Sequence, residues 1–233
     1  MMPRYQEIAL SLEKEISHAY QAGQYLPPEQ RLAERYQVNR HTLRRAIDEL
    51  VLKGWLLRQQ GKGVMVLTKP VRYPLHSGAK FTDNLLNAGA KPNSRVLSLL
   101  RTNANTQVAK GLAVELASPI IQLKTLRFID QVPISIVFHH LRVGEHDSVL
   151  SRYQQGSLHH FLAEHCHIEL RRQQTVVSAQ RPNKQDCACL QIDASNPLLT
   201  LQTVNVDQQK VPFEFSISHI RAELVELSLE HPL

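Results

Sequence analysis

Leu26-Pro27-Pro28-Glu29 leaves the backbone little choice. Each proline fixes φ and pushes the residue before it out of the helical region, so a helix arriving from upstream must end before this stretch. A proline is nevertheless well placed to open a helix, and Glu29 would then meet the positive end of its dipole. Upstream, Tyr5, Ile8, Ala9, Leu12, Ile16 and Ala19 recur at helical spacing among Glu7, Glu13, Lys14 and Glu15, with Gly23 as the expected stop. Downstream, a second helix is expected to run to about Tyr36. After the turn at Val38, Asn39 is suited to cap a third, whose buried face is Leu43, Ala46, Ile47, Leu50 and Val51 and whose end is Gly54.

Charge follows the same segmentation. Residues 1–38 carry four Lys/Arg against five Asp/Glu, whereas residues 39–62 carry six against two, which draws a polyanion to the third helix and the segment after it. Arg40, His41, Thr42, Arg44 and Arg45 project from the first two turns of that helix, where a recognition helix meets base edges in the major groove. Two apolar runs, 55–58 and 64–67, flank Gln59-Gln60-Gly61-Lys62-Gly63 and read as a hairpin. Its tip, Gly61, Lys62 and Gly63, allows close approach to a DNA backbone with one cation. The expected unit is a winged helix-turn-helix over residues 1–69, with double-stranded operator DNA as its partner.

These residues, from Leu26-Pro27-Pro28-Glu29-x-x-Leu32-Ala33 through Val38-Asn39-Arg40-x-Thr42-Leu43-Arg44-x-Ala46 to Gly61-Lys62-Gly63-Val64, resemble the GntR family of bacterial regulators across residues 5–67. The resemblance implies that Arg40, Thr42 and Arg44 contact DNA and that Gly61 and Gly63 form the wing tip. Gln30 departs from it, standing where many members place a DNA-touching arginine, and Asn39-Arg40-His41 replaces the commoner Ser-Arg-x.

Residues 70–75, with Pro70 and Pro74 and no helical period, read as an extended linker. Over 76–233, the runs 95–101, 120–129, 134–142, 170–179, 198–206 and 211–220 are rich in Val, Ile, Leu and Thr at strand length, and helical patterns fall at 106–112, 157–165 and 183–190. The expected class is α+β with a largely antiparallel sheet. This order is similar to the effector-sensing UTRA domain of the HutC subfamily, a fold related to chorismate lyase. Val38 to Asp48, Gly156-Ser157-Leu158-His159-x-Phe161-Leu162 and Leu170-Arg171-Arg172-x-Gln174-Thr175 are closer still to the branch that governs phosphonate operons.

Ser157 suits a helix N-cap whose free amides can hold an anion, although a plain structural cap is an equal reading of the residues. The resemblance implies the former, with Arg127 clamping the anion and Phe81, Thr82 and Glu214 lining the pocket. Glu214 would suit an ammonium or hydroxyl of the effector, such as the amine of an aminoalkylphosphonate, or be a half-exposed strand residue. Thr125 and Ile220 depart from the arginine and tyrosine of sugar-phosphate sensors. Arg171 and Arg172 point to opposite faces of a strand, so at most one reaches the pocket. The expected effector is a small anion, a phosphonate or a phosphate ester. The resemblance also implies a homodimer on a palindromic operator.

Other classes fare worse. His139-His140, His159-His160, His165-Cys166-His167 and Cys187-x-Cys189 do not have zinc-site spacing, so no metal is expected. Nothing assembles a catalytic set, so neither an enzyme nor a cofactor is expected. Three cysteines, no secretion signal and no apolar run near the roughly 18 residues of a membrane span point to the cytoplasm.

Overall fold

The structure, a computed structural model, describes residues 2–20, 23–59, 61–67, 71–75, 92–129 and 132–229. The chain divides into two compact units, Met1–Val71 and Arg72–Leu233.

In the first unit, helices α1 (Arg4–Ala19), α2 (Glu29–Arg35) and α3 (Arg40–Leu52) precede a hairpin of β1 (Leu56–Gln59) and β2 (Gly63–Val66). The apolar stripes expected from spacing meet in one core, Ile8, Leu12 and Ile16 of α1 against Leu32, Leu43, Ile47, Leu50, Leu56 and Val66. Helix α1 ends earlier than Gly23. Tyr20 is already extended, at φ −121° and ψ 145°, and packs against that core. Gly23 serves instead to begin a short third rung of the hairpin: its amide donates to the Val66 carbonyl at 2.9 Å and that of Leu26 to Val64 at 2.8 Å.

In the second unit, β4 (Pro92–Asn103), β5 (Pro119–Ile129), β6 (Val132–Arg142), β7 (Arg171–Gln180), β8 (Leu198–Val206) and β9 (Pro212–Arg221) form one sheet in the order β4-β5-β6-β9-β8-β7, every neighbouring pair antiparallel. Helix α4 (Thr106–Leu112) and helix α7 (Lys184–Leu190) cover one face, through Leu112 on Ile120 and Phe215 and through Leu190 on Leu126, Ile136 and Leu198. Helices α5 (Asp147–Leu150) and α6 (Leu158–Cys166) lie on the other, where Leu150, Leu158 and Leu162 pack on Ile121, Leu123 and Leu141. Gly111 is where α4 comes closest: a Cβ there would overlap the Phe215 ring.

The expected linker is corrected in part. Residues 71–74 are extended, as the prolines suggested, but they form a strand, β3 (Val71–Pro74), paired with β10 (Val225–Ser228). A pairing between segments so far apart in sequence leaves no local signal. Among the described residues no helix is long and apolar enough to cross a membrane.

Candidate nucleic-acid interface and effector cavity

The recognition helix begins as its sequence dictates. Asn39 is extended, and its Oδ1 accepts the Thr42 amide at 2.8 Å, so one of the free N–H groups of α3 is satisfied by the cap. Burying Leu43, Ala46, Ile47 and Leu50 leaves Arg40, His41 and Arg44 exposed and Thr42 half-buried. Arg45 is exposed too but turns towards α1, its guanidinium carbon 4.1 Å from the centre of the Tyr5 ring. Arg40 Nη2 donates to Gln30 Oε1 at 2.5 Å, and Gln30 Nε2 donates to Glu34 Oε1 at 3.3 Å. A carboxylate only accepts, so Glu34 fixes which end of the Gln30 amide faces Arg40.

The wing is braced from beneath by Arg58 of β1. Its Nη2 donates to Asp48 Oδ1 of α3 at 2.8 Å, its Nε to the same oxygen at 3.1 Å, and its Nη1 to Glu29 at the start of α2. At the tip, Gly61 and Gly63 adopt φ of +75° and +113°, conformations that side chains disfavour, and Lys62 between them is exposed.

The second unit holds a cavity of about 60 Å³. Arg127 of β5, Arg172 of β7, Ser157 ahead of α6 and Glu214 of β9 all line it, while Phe81 and Thr82 lie outside the described residues. Arg171 is exposed on the opposite side of β7, as strand alternation requires. Ile220 lines the cavity; Thr125 is buried beside it and bonded to His139.

Ser157 is a true cap: its Oγ accepts the His160 amide at 3.3 Å and its carbonyl the Phe161 amide at 3.0 Å. The amides of Leu158 and His159 have no such acceptor among the described residues. Arg172 donates from Nη2 to the Tyr73 hydroxyl at 2.5 Å, while its Nε and Nη1 are buried without any hydrogen-bond partner among the described residues.

Glu214 is 1% exposed rather than half-exposed. Its Oε1 accepts from His139 Nδ1 at 2.5 Å, and its Oε2 from His159 Nε2 at 2.7 Å and Asn205 Nδ2 at 2.6 Å. Burial would raise its carboxyl, but the charge of His159 and the hydrogen bonds from His139 and His159 outweigh it and hold the group well below the usual carboxylate range. Burial pushes the His139 imidazole below its usual value despite that neighbour. Neutral His139 then donates from Nδ1 to Glu214, leaving Nε2 to accept the Thr125 hydroxyl at 3.0 Å. The two imidazoles meet different oxygens of the carboxylate, and among the described residues no group of three or more His, Cys, Asp or Glu is placed to hold a metal ion.

Sequence reasoning had set His139 and His159 aside with the metal question and had not reached Tyr73, Thr203, Asn205, Ser216 or Ser218, all of which line the cavity. The missed signal was strand alternation: Thr203 and Asn205 on β8, and Glu214, Ser216 and Ser218 on β9, put polar residues at every second position of strands whose sheet is covered by helices.

A winged helix-turn-helix whose recognition helix exposes cations, joined to a cavity-bearing antiparallel domain, defines a DNA-binding transcriptional regulator with a separate sensor. Residues 4–66 match the family of bacterial regulatory proteins, gntR family, and residues 87–226 match the UTRA domain. The chain is 46% identical over 230 residues to the probable transcriptional regulator PhnF of Escherichia coli strain K12, covering 98% of this chain and 95% of that protein. The crystal structure of PhnF from Mycobacterium smegmatis shares the fold, at 23% identity and a TM-score of 0.66 over 97% of this chain and 99% of that one. A crystal structure of a PhnF C-terminal domain is 32% identical, with a TM-score of 0.58, over 71% of this chain and 99% of that one. The chain belongs to the GntR family of bacterial transcriptional regulators, in its HutC-like, UTRA-bearing subfamily.

Proposed function

We propose that this regulator is a dimeric repressor released from a palindromic operator by a small anion, a phosphonate or phosphate ester, bound in the sensor cavity. The observation that carries the effector class is Arg172. Among the described residues two of its buried guanidinium nitrogens have no acceptor, which costs free energy, and an oxyanion is a partner that satisfies them. Arg127 adds a second positive charge and the first turn of α6 adds two free amides, so donors converge from three elements. Against these stands, among the described residues, one carboxylate, Glu214, so the two guanidinium charges outnumber it.

On DNA, Arg40, His41, Thr42 and Arg44 enter the major groove, Arg45 reaches the backbone from its seat on Tyr5, and Gly61, Lys62 and Gly63 bring the wing to the adjacent phosphates. A symmetric dimer must hold two recognition helices about 34 Å apart, so an anion that binds better to a sensor form with another spacing lowers operator affinity by population shift. The same differential makes operator DNA weaken anion binding by an equal factor. The chain then needs neither a catalytic role nor a metal.

The Ser216 and Ser218 hydroxyls make no hydrogen bond among the described residues, which favours a second reading in which the anion carries a hydroxylated tail, as in a sugar phosphate. A thermal-shift screen of alkylphosphonates, sugar phosphates and divalent metals separates these readings, because only a ligand of the folded state raises the melting temperature. A rise with phosphonates or phosphate esters supports the proposal; a rise with metals alone contradicts it. Sedimentation of the full chain tests the dimer.

A further inference from the structure

Among the described residues the cavity is lined by one acid, Glu214, and its surroundings decide what that acid can do. Glu214 has two oxygens and about four acceptor positions. Three are occupied by His139, His159 and Asn205 at 2.5 to 2.7 Å, and the side chain is 1% exposed. An incoming ammonium brings three N–H donors and must shed water to reach a carboxylate with one acceptor position left and almost no open surface. An amine that gave Glu214 more than one N–H would have to break a charge-assisted bond already made within the protein.

The same three bonds have a mechanical consequence. His139 lies on β6, Asn205 on β8 and Glu214 on β9, with Thr125 of β5 joined through His139, so four consecutive strands of the sheet meet at this carboxylate. His159 is the second residue of α6, in the turn that Ser157 caps, and Ser157, Leu158 and His159 all line the cavity. Its Nε2–H bond to Glu214 therefore pins that turn to the sheet. Without it, the first turn of α6 would rest on the apolar packing of Leu158 and Phe161 and on the Ser157 cap, none of which bonds to the polar strand positions of the cavity.

We infer that Glu214 is a positioning residue, fastening the anion-facing turn of α6 to the sheet through His159, so that the cavity selects its ligand by the anionic head and does not read an amine. This rests on the anion-binding reading of the cavity proposed above. It replaces the role of ammonium or hydroxyl receptor that the carboxylate's chemistry suggested for Glu214.

Two measurements on the full-length chain test it, one of which needs no ligand. In amide hydrogen exchange of the ligand-free protein, the His160 and Phe161 amides should exchange at least tenfold faster in His159→Phe and in Glu214→Gln than in the parent chain. His159→Gln, which returns an N–H donor at a similar reach, should restore most of the protection. A residue that merely fills space would not be rescued in this way. In calorimetry, ethylphosphonate and 2-aminoethylphosphonate differ by one amine and should bind within about threefold of each other, and His159→Phe should weaken both by one common factor. Unchanged exchange in both variants would overturn the inference. So would a tenfold preference for 2-aminoethylphosphonate that Glu214→Gln abolishes. If neither phosphonate nor inorganic phosphate binds, the anion reading of the cavity falls, and the exchange result alone then upholds or overturns the role of Glu214.

Discussion

Arg58 on the first wing strand lies 2.8 Å from Asp48 on the recognition helix, and the same guanidinium reaches Glu29 at the head of α2. One side chain thus fixes the wing against both helices of the helix-turn-helix. All three groups are partly exposed, at 30%, 56% and 31% of their side chains, so the contribution to stability is modest, about 1 kcal/mol. The effect on DNA binding is expected to be larger. Arg58→Ala should weaken operator binding at least tenfold while leaving the salt dependence unchanged, because no phosphate contact is lost. Arg58→Lys should recover only part, since an ammonium cannot reproduce the fork. Fluorescence anisotropy across a salt series reads both; a reduced salt slope would make Arg58 a phosphate contact instead.

Arg44 and Lys62 are assigned different work and should fail differently. Arg44→Ala should cost about 1–3 kcal/mol at the operator and relax base preference at one position of each half-site. Lys62→Ala should weaken all sequences evenly and lower the salt slope by about one unit. Binding to a panel of single-base operator variants distinguishes them, and identical profiles for the two variants would contradict the placement of helix and wing.

Gln30 stands at a position where the family often has a DNA-contacting arginine, and here it holds Arg40 instead. Gln30→Ala should therefore broaden base preference at the position Arg40 reads, with little change in the salt slope. Gln30→Glu should keep the grip on Arg40 but lower overall affinity by adding a negative charge near the phosphates. A selection of bound sequences from a randomised half-site shows whether the preference shifts.

Much of the fold was legible because it is written in local patterns. Pro27-Pro28, the Asn39 cap and the Leu43, Ala46, Ile47, Leu50 stripe each act within a turn or two, and each appears in the structure where the sequence put it. The six sheet strands were legible for the same reason. What escaped reading depends on partners distant in sequence. Val71–Pro74 becomes a strand only because Val225–Ser228 lies beside it. Likewise, the sequence leaves Glu214 open between a pocket carboxylate and a half-exposed strand residue, and only the convergence of His139, His159 and Asn205 shows that its oxygens are taken. Arg172 was narrowed to one of two adjacent arginines by alternation, and the cavity chose between them.

Acid should destabilise the sensor in two stages. The folded pKa of His139, and of His140 beside it, lies below the usual 6.5 because burial disfavours the charged ring. As pH falls through 6.5 the unfolded chain takes up protons that the folded one does not, so stability present above 6.5 is progressively lost. Glu214 acts lower: its folded pKa is well under 4.5, so its contribution is complete above 4.5 and drains away as pH falls towards the folded value. Each group adds at most about 1.4 kcal/mol per pH unit. Thermal melts between pH 7.5 and 4 should show the midpoint of the sensor falling, with a shallower upper stage in His139→Gln. A midpoint that rises on acidification to pH 5 would mean that the imidazole is charged in the folded state.

If an anion seated at Arg127 and Arg172 governs operator binding, operator affinity must fall as the effector concentration rises. Anisotropy of the full-length chain on operator DNA, at fixed ionic strength, should show affinity falling at least tenfold as ethylphosphonate or a sugar phosphate reaches millimolar concentration. Removing either guanidinium, in Arg127→Ala or Arg172→Ala, truncates a charge-assisted contact worth about 2–4 kcal/mol and should abolish that response. An operator affinity indifferent to every such anion, or a response that survives intact in both variants, would contradict the account.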